Sequence, residues 1–185
     1  MLDGLAELRG PPVSLVCEAE YLGTMTPERA AERFALRNPV TRRHFQEAQE
    51  AWAAFRSPDP SRIDAARPKA LPFLGAALRR HLQEFPWVTD RLSLLERRIL
   101  RALEGGPLFF PQLCVAVEED PAFLGDTVLA WHLERLRRER LVERRSDQWA
   151  LSGKSRSLRV PRWLGGYEVK DATLRWDPAS GRLVS

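Results

Sequence analysis

The sequence predicts a mainly α-helical chain of the α+β class, with β structure confined to short segments. Two observations carry this prediction. Apolar residues recur at helical spacing through residues 24–88 and 93–138, and capping residues and prolines mark the helix ends. Short apolar segments separated by turn residues follow after residue 140, as in β-hairpins. Apolar residues make up 44% and charged residues 29% of the 185 positions, which is typical of a globular protein.

Composition also bears on location. The longest stretch without charge runs over residues 105–117, and at 13 residues it is too short to cross a bilayer. No basic and then apolar leader opens the sequence, so secretion is not expected. Cys17 and Cys114 are the only cysteines, which excludes a disulfide scaffold and favours a reducing compartment. We therefore expect a cytoplasmic protein with no membrane partner.

Within residues 1–23 the sequence predicts a short helix, a turn at Gly10–Pro12 and an apolar strand from Val13 to Cys17. An apolar run without alternation is typical of a strand buried on both faces, as in parallel sheets. No partner strand is evident in the sequence. We therefore interpret residues 1–23 as the remnant of an α/β unit.

Residues 24–88 predict a helical region. Thr26 before Pro27 is an N-cap followed by a first-turn proline, and Thr41 can cap the next helix. Phe45, Trp52 and Phe55 share one face of that helix and are expected in the core. A leucine-rich stripe at helical spacing follows between residues 71 and 85.

Residues 89–160 hold the most specific pattern. Ser93 and Glu96 form a capping box that starts a helix ending at Gly105-Gly106. A second helix opens at Pro111, and a third is capped by Asp126. The third helix carries an inward stripe of Leu129, Leu133 and Leu136.

A hairpin is predicted directly after the third helix, with strands over 141–145 and 148–151 and a turn at Ser146-Asp147. Three helices followed by a hairpin is the order of a winged helix-turn-helix, and this region resembles that superfamily. The tail, residues 161–185, predicts a further small hairpin, with strands over 174–176 and 182–184.

Several stretches also resemble an uncharacterised bacterial family, domain of unknown function 1835. They are residues 12–17, 51–55, 71–74, 77–82, 123–126 and 162–166. The resemblance spans nearly the whole sequence but lacks the N-terminal α/β part of that family, with its His and Gly-Asp motif. It therefore implies an architecture and no reaction.

No catalytic, cofactor or metal site is predicted. His44, His81 and His132 lie far apart and have no ligand partner at metal-binding spacing. Gly153-Lys154-Ser155 lacks the glycine that a phosphate-binding loop requires five residues earlier. The sequence therefore favours a protein that is not an enzyme.

Basic residues concentrate around the predicted hairpin. Residues 131–162 carry 10 basic and 4 acidic side chains, a balance of +6 within a chain whose net charge is +4. Such clusters suit phosphate contacts, which give affinity without sequence information. The first hypothesis is therefore a DNA-binding or regulator-like protein that binds double-stranded DNA. The expected phosphate contacts are Arg137, Arg138, Arg140, Arg144, Arg145, Lys154 and Arg156, with Arg135 beside them.

A second hypothesis is that the same region binds protein and not nucleic acid. The exposed start of the third helix includes Asp126, Ala130, Trp131 and Glu134, and its acids would repel phosphate. Tryptophan and arginine are both enriched at protein interfaces. Ala130 and Trp131 could then form the apolar contact of a homodimer or of another protein complex.

Overall fold

The computed structural model describes residues 12–18, 23, 25–118, 125–154, 161–169 and 174–185. Within them, helices combine with small antiparallel sheets, which confirms the predicted α+β class. The chain divides into two compact units. The first holds the residues up to Arg80 together with Gly165–Tyr167, and the second holds His81–Leu164 and Glu168–Ser185.

The described residues form seven helices and nine short strands. The helices are α1 (Pro27–Ala35), α2 (Arg42–Phe55), α3 (Ser61–Ala65), α4 (Leu74–Leu82), α5 (Leu94–Leu103), α6 (Phe110–Val117) and α7 (Asp126–Arg138). The strands are β1 (Ser14–Leu15), β2 (Asn38–Pro39), β3 (Leu108–Phe109), β4 (Val142–Arg145), β5 (Gln148–Leu151), β6 (Arg162–Leu164), β7 (Tyr167–Val169), β8 (Arg175–Asp177) and β9 (Arg182–Val184). None of these helices has the length and apolar character that a bilayer crossing requires.

The first strand differs from the expectation. Only Ser14–Leu15 is a strand, and it pairs antiparallel with β2. Val40 N–H donates to Val13 O at 2.9 Å, and Ser14 is exposed to solvent. The prediction of a parallel strand buried on both faces is wrong here, because an apolar run determines neither strand direction nor the number of buried faces. The helix predicted before this strand lies outside the described residues.

The capping predicted for the first two helices is observed. Thr26 Oγ1 accepts the Arg29 N–H at 3.3 Å, and Thr41 N–H donates to His44 Nδ1 at 2.9 Å. The predicted core face of α2 is wrong at Trp52, which is 44% exposed. The core contacts of α2 are made instead by the buried Ala51 and Ala54.

The second unit is built on α5, α6, α7 and a three-stranded sheet in the order β3-β5-β4. The capping box forms, with Ser93 N–H donating to Glu96 Oε2 at 2.6 Å, and α5 is followed by Gly106 at a φ of +124°. Each predicted inward leucine of α7 is buried. The shared core comprises Leu95, Ile99, Leu103, Leu113, Val117, Leu129, Leu133, Leu136, Val142 and Trp149.

The last strands also belong largely to the second unit. β6 pairs with β7, and β8 pairs antiparallel with β9. Trp176 in β8 is 5% exposed, and its N–H donates to Pro86 O at 2.9 Å. Trp176 O accepts the Val88 N–H at 3.0 Å. The buried indole and these two bonds hold the C-terminal strands against residues 86–88.

Two glycines of the first unit lie directly against backbone. Gly166 N–H donates to Phe55 O at 2.8 Å. A Cβ at Gly166 would lie 1.9 Å from Arg56 O, and one at Gly165, where φ is +61°, would lie 2.1 Å from Phe55 O. Both positions therefore require the absence of a side chain.

Replacing Gly166 by alanine should destabilise the first unit by about 2 kcal/mol or more, because backbone must move to admit the methyl group. The loss is measured as the difference in urea unfolding midpoint between the Gly166→Ala variant and the parent chain. Gly105→Ala is the matched control, since a Cβ there meets nothing within 4 Å. Equal midpoints for Gly166→Ala and Gly105→Ala would contradict the prediction.

Candidate nucleic-acid interface

The β4–β5 hairpin carries two exposed cations of the predicted cluster, Arg144 and Arg145. Its strands join through a turn in which Ser146 has a φ of +56°. Arg144 lies opposite Trp149 in the strand register, and its Nε donates to Ser146 O at 3.1 Å. That bond leaves the terminal nitrogens of the Arg144 guanidinium for other acceptors, so the group is oriented but still able to bind a phosphate.

Two further cations, Arg140 and Lys154, lie at the open end of the hairpin. The Ser152 hydroxyl donates to Arg140 O, and the Lys154 N–H donates to Ser152 Oγ at 3.2 Å. Leu141 O accepts the Ser152 N–H at 3.1 Å. One serine therefore ties the backbones of Arg140 and Lys154 together, so two exposed cations occupy the same end of the hairpin.

Arg140 also ends α7 in the left-handed conformation, with a φ of +61°. Its N–H donates to Arg137 O at 3.0 Å, and the Leu141 N–H donates to Leu136 O at 2.9 Å. These two bonds form a Schellman motif, in which the left-handed position is usually glycine. An arginine here costs backbone energy that glycine would not.

Three of the predicted contact residues are already paired with carboxylates. Arg137 Nε and Nη2 donate to Glu134 at 2.9 and 2.6 Å, and Arg138 Nε lies 3.6 Å from Glu134 Oε1. Hydrogen bonds from Arg137 hold the pKa of Glu134 below its ordinary value, and the charges of both arginines add to this effect. Arg145 Nε donates to Glu143 Oε1 at 2.7 Å. These exposed pairs are individually weak, but they keep a negative charge beside each arginine.

The expectation that Arg135 joins this surface is wrong. Its side chain is 4% exposed, and it donates to Glu96 at 2.6 Å and to Glu139 at 3.1 Å. Arg162 Nη1 lies 3.7 Å from the same Glu96 oxygen, and His132 Nδ1 lies 3.3 Å from Arg135 Nη2. Two arginines and two glutamates thus form a buried charge network, and Arg135 belongs to the core because its carboxylate partners lie there.

The network is the feature that sequence reasoning missed. Glu96 has a double role, since Oε2 completes the capping box while Oε1 binds Arg135. One signal was present in the sequence. Arg135 stands directly before Leu136 and three residues after His132, at the edge of the inward stripe of α7.

The exposed face of α7 is apolar at its centre. Trp131 is 49% exposed and Val128 is 46% exposed, and Ala130 lies beside them at the surface. The Trp131 ring contacts His132 edge-on at a centroid distance of 4.8 Å, and the Arg135 guanidinium carbon lies 5.4 Å from the Trp131 centroid. α7 begins at Asp126, with Gly125 as its N-cap, so Asp126 is the first helical residue rather than the predicted cap.

Three cations of the predicted set remain without a carboxylate. Within the described part of the chain, Arg140, Arg144 and Lys154 form no ion pair, whereas Arg137, Arg138 and Arg145 do. The last predicted contact, Arg156, lies outside the described residues. Among the described residues, the cations without an ion pair thus lie on the β4–β5 hairpin and at its base.

No group of three or more His, Cys, Asp or Glu side chains among the described residues is arranged to hold a metal ion. Comparison with known protein families, with curated proteins and with solved structures gives no match for this chain. The resemblance to domain of unknown function 1835 stays a prediction.

Arg135→Met should destabilise the second unit by about 3 kcal/mol or more, because it leaves the Glu96 and Glu139 carboxylates buried without their main partner. Arg137→Gln is the matched control, since it removes one arginine of the same helix from an exposed pair. The urea unfolding midpoint of each variant, compared with that of the parent chain, measures the loss of stability. If the two variants unfold at the same midpoint, the buried network does not have the structural role described here.

Proposed function

We propose that the winged-helix domain predicted over residues 89–160 binds double-stranded DNA through phosphate contacts of its β4–β5 hairpin and of the cations at the base of that hairpin. The observation that carries the proposal is a group of cations on that hairpin and at its base that have no ion pair among the described residues, namely Arg140, Arg144 and Lys154. The proposed protein is a non-enzymatic, regulator-like DNA binder of the cytoplasm that recognises the backbone rather than the base sequence.

The order of elements supports the winged-helix part of the proposal. Helix α5, strand β3, helices α6 and α7 and then a hairpin follow one another, and β5 lies between β3 and β4 in the sheet. In a helix-turn-helix the later of the paired helices enters the major groove. Here the first two turns of that helix, α7, expose Asp126, Val128 and Trp131 rather than the arginine, asparagine or glutamine side chains that suit base contacts.

The number of available cations limits how strongly the hairpin can bind DNA phosphates. Each phosphate neutralised on duplex DNA contributes about 0.9 to the slope of log affinity against log salt. The three cations without an ion pair among the described residues therefore give a slope of about −3, and the seven cations expected from the sequence would give about −6. We therefore propose weak, non-specific binding rather than tight operator recognition.

Neutralising a hairpin cation should lower DNA affinity and make the salt slope shallower by about 0.9 for each residue changed. Arg144→Gln and Lys154→Gln test this, with fluorescence anisotropy on a random 20-base-pair duplex over about 50–200 mM salt. Arg42→Gln in α2 is the control with the same loss of charge. No binding at the lowest salt, or an equal effect of Arg42→Gln, would overturn the proposal.

Arg140→Gly should separate DNA binding from folding. Glycine suits the left-handed end of α7, so we expect the free energy of unfolding to stay equal or to rise by up to about 1 kcal/mol. DNA affinity should fall nonetheless, because one phosphate contact is lost. A variant that is at least as stable as the parent and binds DNA equally well would remove Arg140 from the interface.

A second candidate function is protein interaction through α7, and the exposure of Trp131 favours it. Tryptophan is among the residues most enriched in the energetically dominant part of protein interfaces. The pairing of Arg137 and Arg138 with Glu134 also reduces the positive charge that this helix offers to phosphate. Under this candidate, Ala130, Trp131 and Val128 contact a protein while the hairpin remains exposed.

A further inference from the structure

A cavity of about 350 Å³ lies between α2 and α3, and both helices belong to the first unit. Small-molecule sites in proteins occupy about 300 to 1,000 Å³, so this volume suits a small ligand. Ala51 and Ala54 of α2 line the cavity, together with Ala65 of α3 and Ala66 directly after it. Because all four side chains are single methyl groups, they leave space that larger apolar residues would fill.

Glu47 fixes one wall of this cavity. Pro68 lines the cavity, and the segment after it is held on α2 by the Glu47 carboxylate. Glu47 Oε2 accepts the N–H groups of residues 69–71 at 2.8, 2.6 and 3.3 Å, and Oε1 accepts a bond from Arg43 Nε at 3.3 Å. Since four donors already satisfy this carboxylate, Glu47 shapes the cavity and does not supply charge to a ligand.

The other charged side chains that line the cavity remain available. Glu50 belongs to α2, whereas Arg62 belongs to α3 and Arg67 to the segment that follows α3. All three residues are exposed, and the side chains of Glu50 and Arg62 form no hydrogen bond or ion pair with the described residues.

Arg67 is oriented by the backbone beside it. Its Nη1 donates to Asp64 O at 2.5 Å and to Ala66 O at 2.8 Å. Within the described part of the chain, its Nε and Nη2 make no hydrogen bond, so the guanidinium is held in place with donors to spare. Guanidinium groups bind carboxylates through two parallel hydrogen bonds when their donors are available in this way.

We propose that this cavity binds a small zwitterion with an aliphatic body, either an amino acid or a short peptide. Glu50 binds the ammonium group, Arg67 and Arg62 bind the carboxylate, and the alanines contact the aliphatic part. Glu50 repels a simple anion and the two arginines repel a simple cation, so a molecule with both charges fits best. This site is separate from the proposed DNA interface, which belongs to the second unit.

Titration of the ¹⁵N-labelled full-length chain with L-leucine and with L-alanyl-L-alanine tests the proposal. The N–H signals of residues 69–71 are the readout, because this segment is bonded to the wall of the cavity. For ligands with so few atoms, a Kd of about 0.1 to 1 mM is expected. The probe that binds more tightly identifies the source of the zwitterion.

Two analogues of leucine test the need for both charges. The compound 4-methylpentanoate lacks the ammonium group, and 3-methylbutylamine lacks the carboxylate. Each should bind at least about tenfold more weakly than leucine, because one hydrogen bond to a charged group is lost.

Substitutions of the rim assign each charge to its partner. Glu50→Gln should weaken leucine binding about tenfold without weakening 4-methylpentanoate, and Arg67→Gln should weaken both. Arg42→Gln is the control, since Arg42 is exposed on α2 and does not line the cavity.

Filling the cavity tests its role without a change of charge. Ala65→Leu should abolish leucine binding, and because Ala65 is exposed, the larger side chain is not forced into the core. Ala53→Leu is the matched control, since Ala53 is exposed on α2 outside the cavity.

Three results would each overturn the proposal. They are the absence of any shift at residues 69–71 with either zwitterion up to about 20 mM, equal affinity for leucine and one of its analogues, and unchanged binding in Ala65→Leu. The DNA measurements are independent of these results, because their substitutions lie in the second unit apart from the shared control Arg42→Gln.

Discussion

The second unit depends on a buried ion network in which Arg135 and Arg162 are balanced by Glu96 and Glu139. Each of the four side chains is at most 5% exposed. Transferring such charges from water is costly, and mutual attraction offsets the cost only when the geometry is close and hydrogen bonds are satisfied. Here the network joins α5, α7 and β6 through ion pairs that lie beside the apolar core.

This arrangement explains why the candidate interface is limited to the hairpin. Because Arg135 is used inside, only the last turn of α7 carries exposed arginines, and those are paired with Glu134. Among the described residues, Arg140, Arg144 and Lys154 have no such partner, whereas Arg145 is paired with Glu143. The two exposed surfaces are thus chemically distinct: one is a hairpin with unpaired cations among the described residues, and the other is a helix face with an exposed indole.

Local sequence signals predicted the helices of the second unit well. The Ser93–Glu96 capping box, the stop at Gly106 and the leucine stripe of α7 depend on residues within a few positions of each other, and all three are observed. The charge network could not be predicted in this way. Its members come from three separate elements, and arginine and glutamate are exposed in most proteins.

Pattern reasoning was weaker in the first unit. The apolar residues after Pro12 form only a two-residue strand, and its antiparallel partner at Asn38–Pro39 has no alternation that marks it as β structure. Trp52 shares a helical face with Phe45 and Phe55, yet small alanines make the buried contacts of α2. The sequence shows where basic residues concentrate but not which of them are ion-paired, because pairing depends on the geometry of neighbouring side chains.

The position of Arg162 has a consequence for biosynthesis. Glu96, Arg135 and Glu139 leave the ribosome well before Arg162 does, and until then these three groups carry one uncompensated negative charge. The nascent helices can collapse around their leucines, but the electrostatic balance of their interior is reached only after β6 has been translated. Completion of this unit therefore waits for β6, and Trp176, which docks on residues 86–88, is added later still.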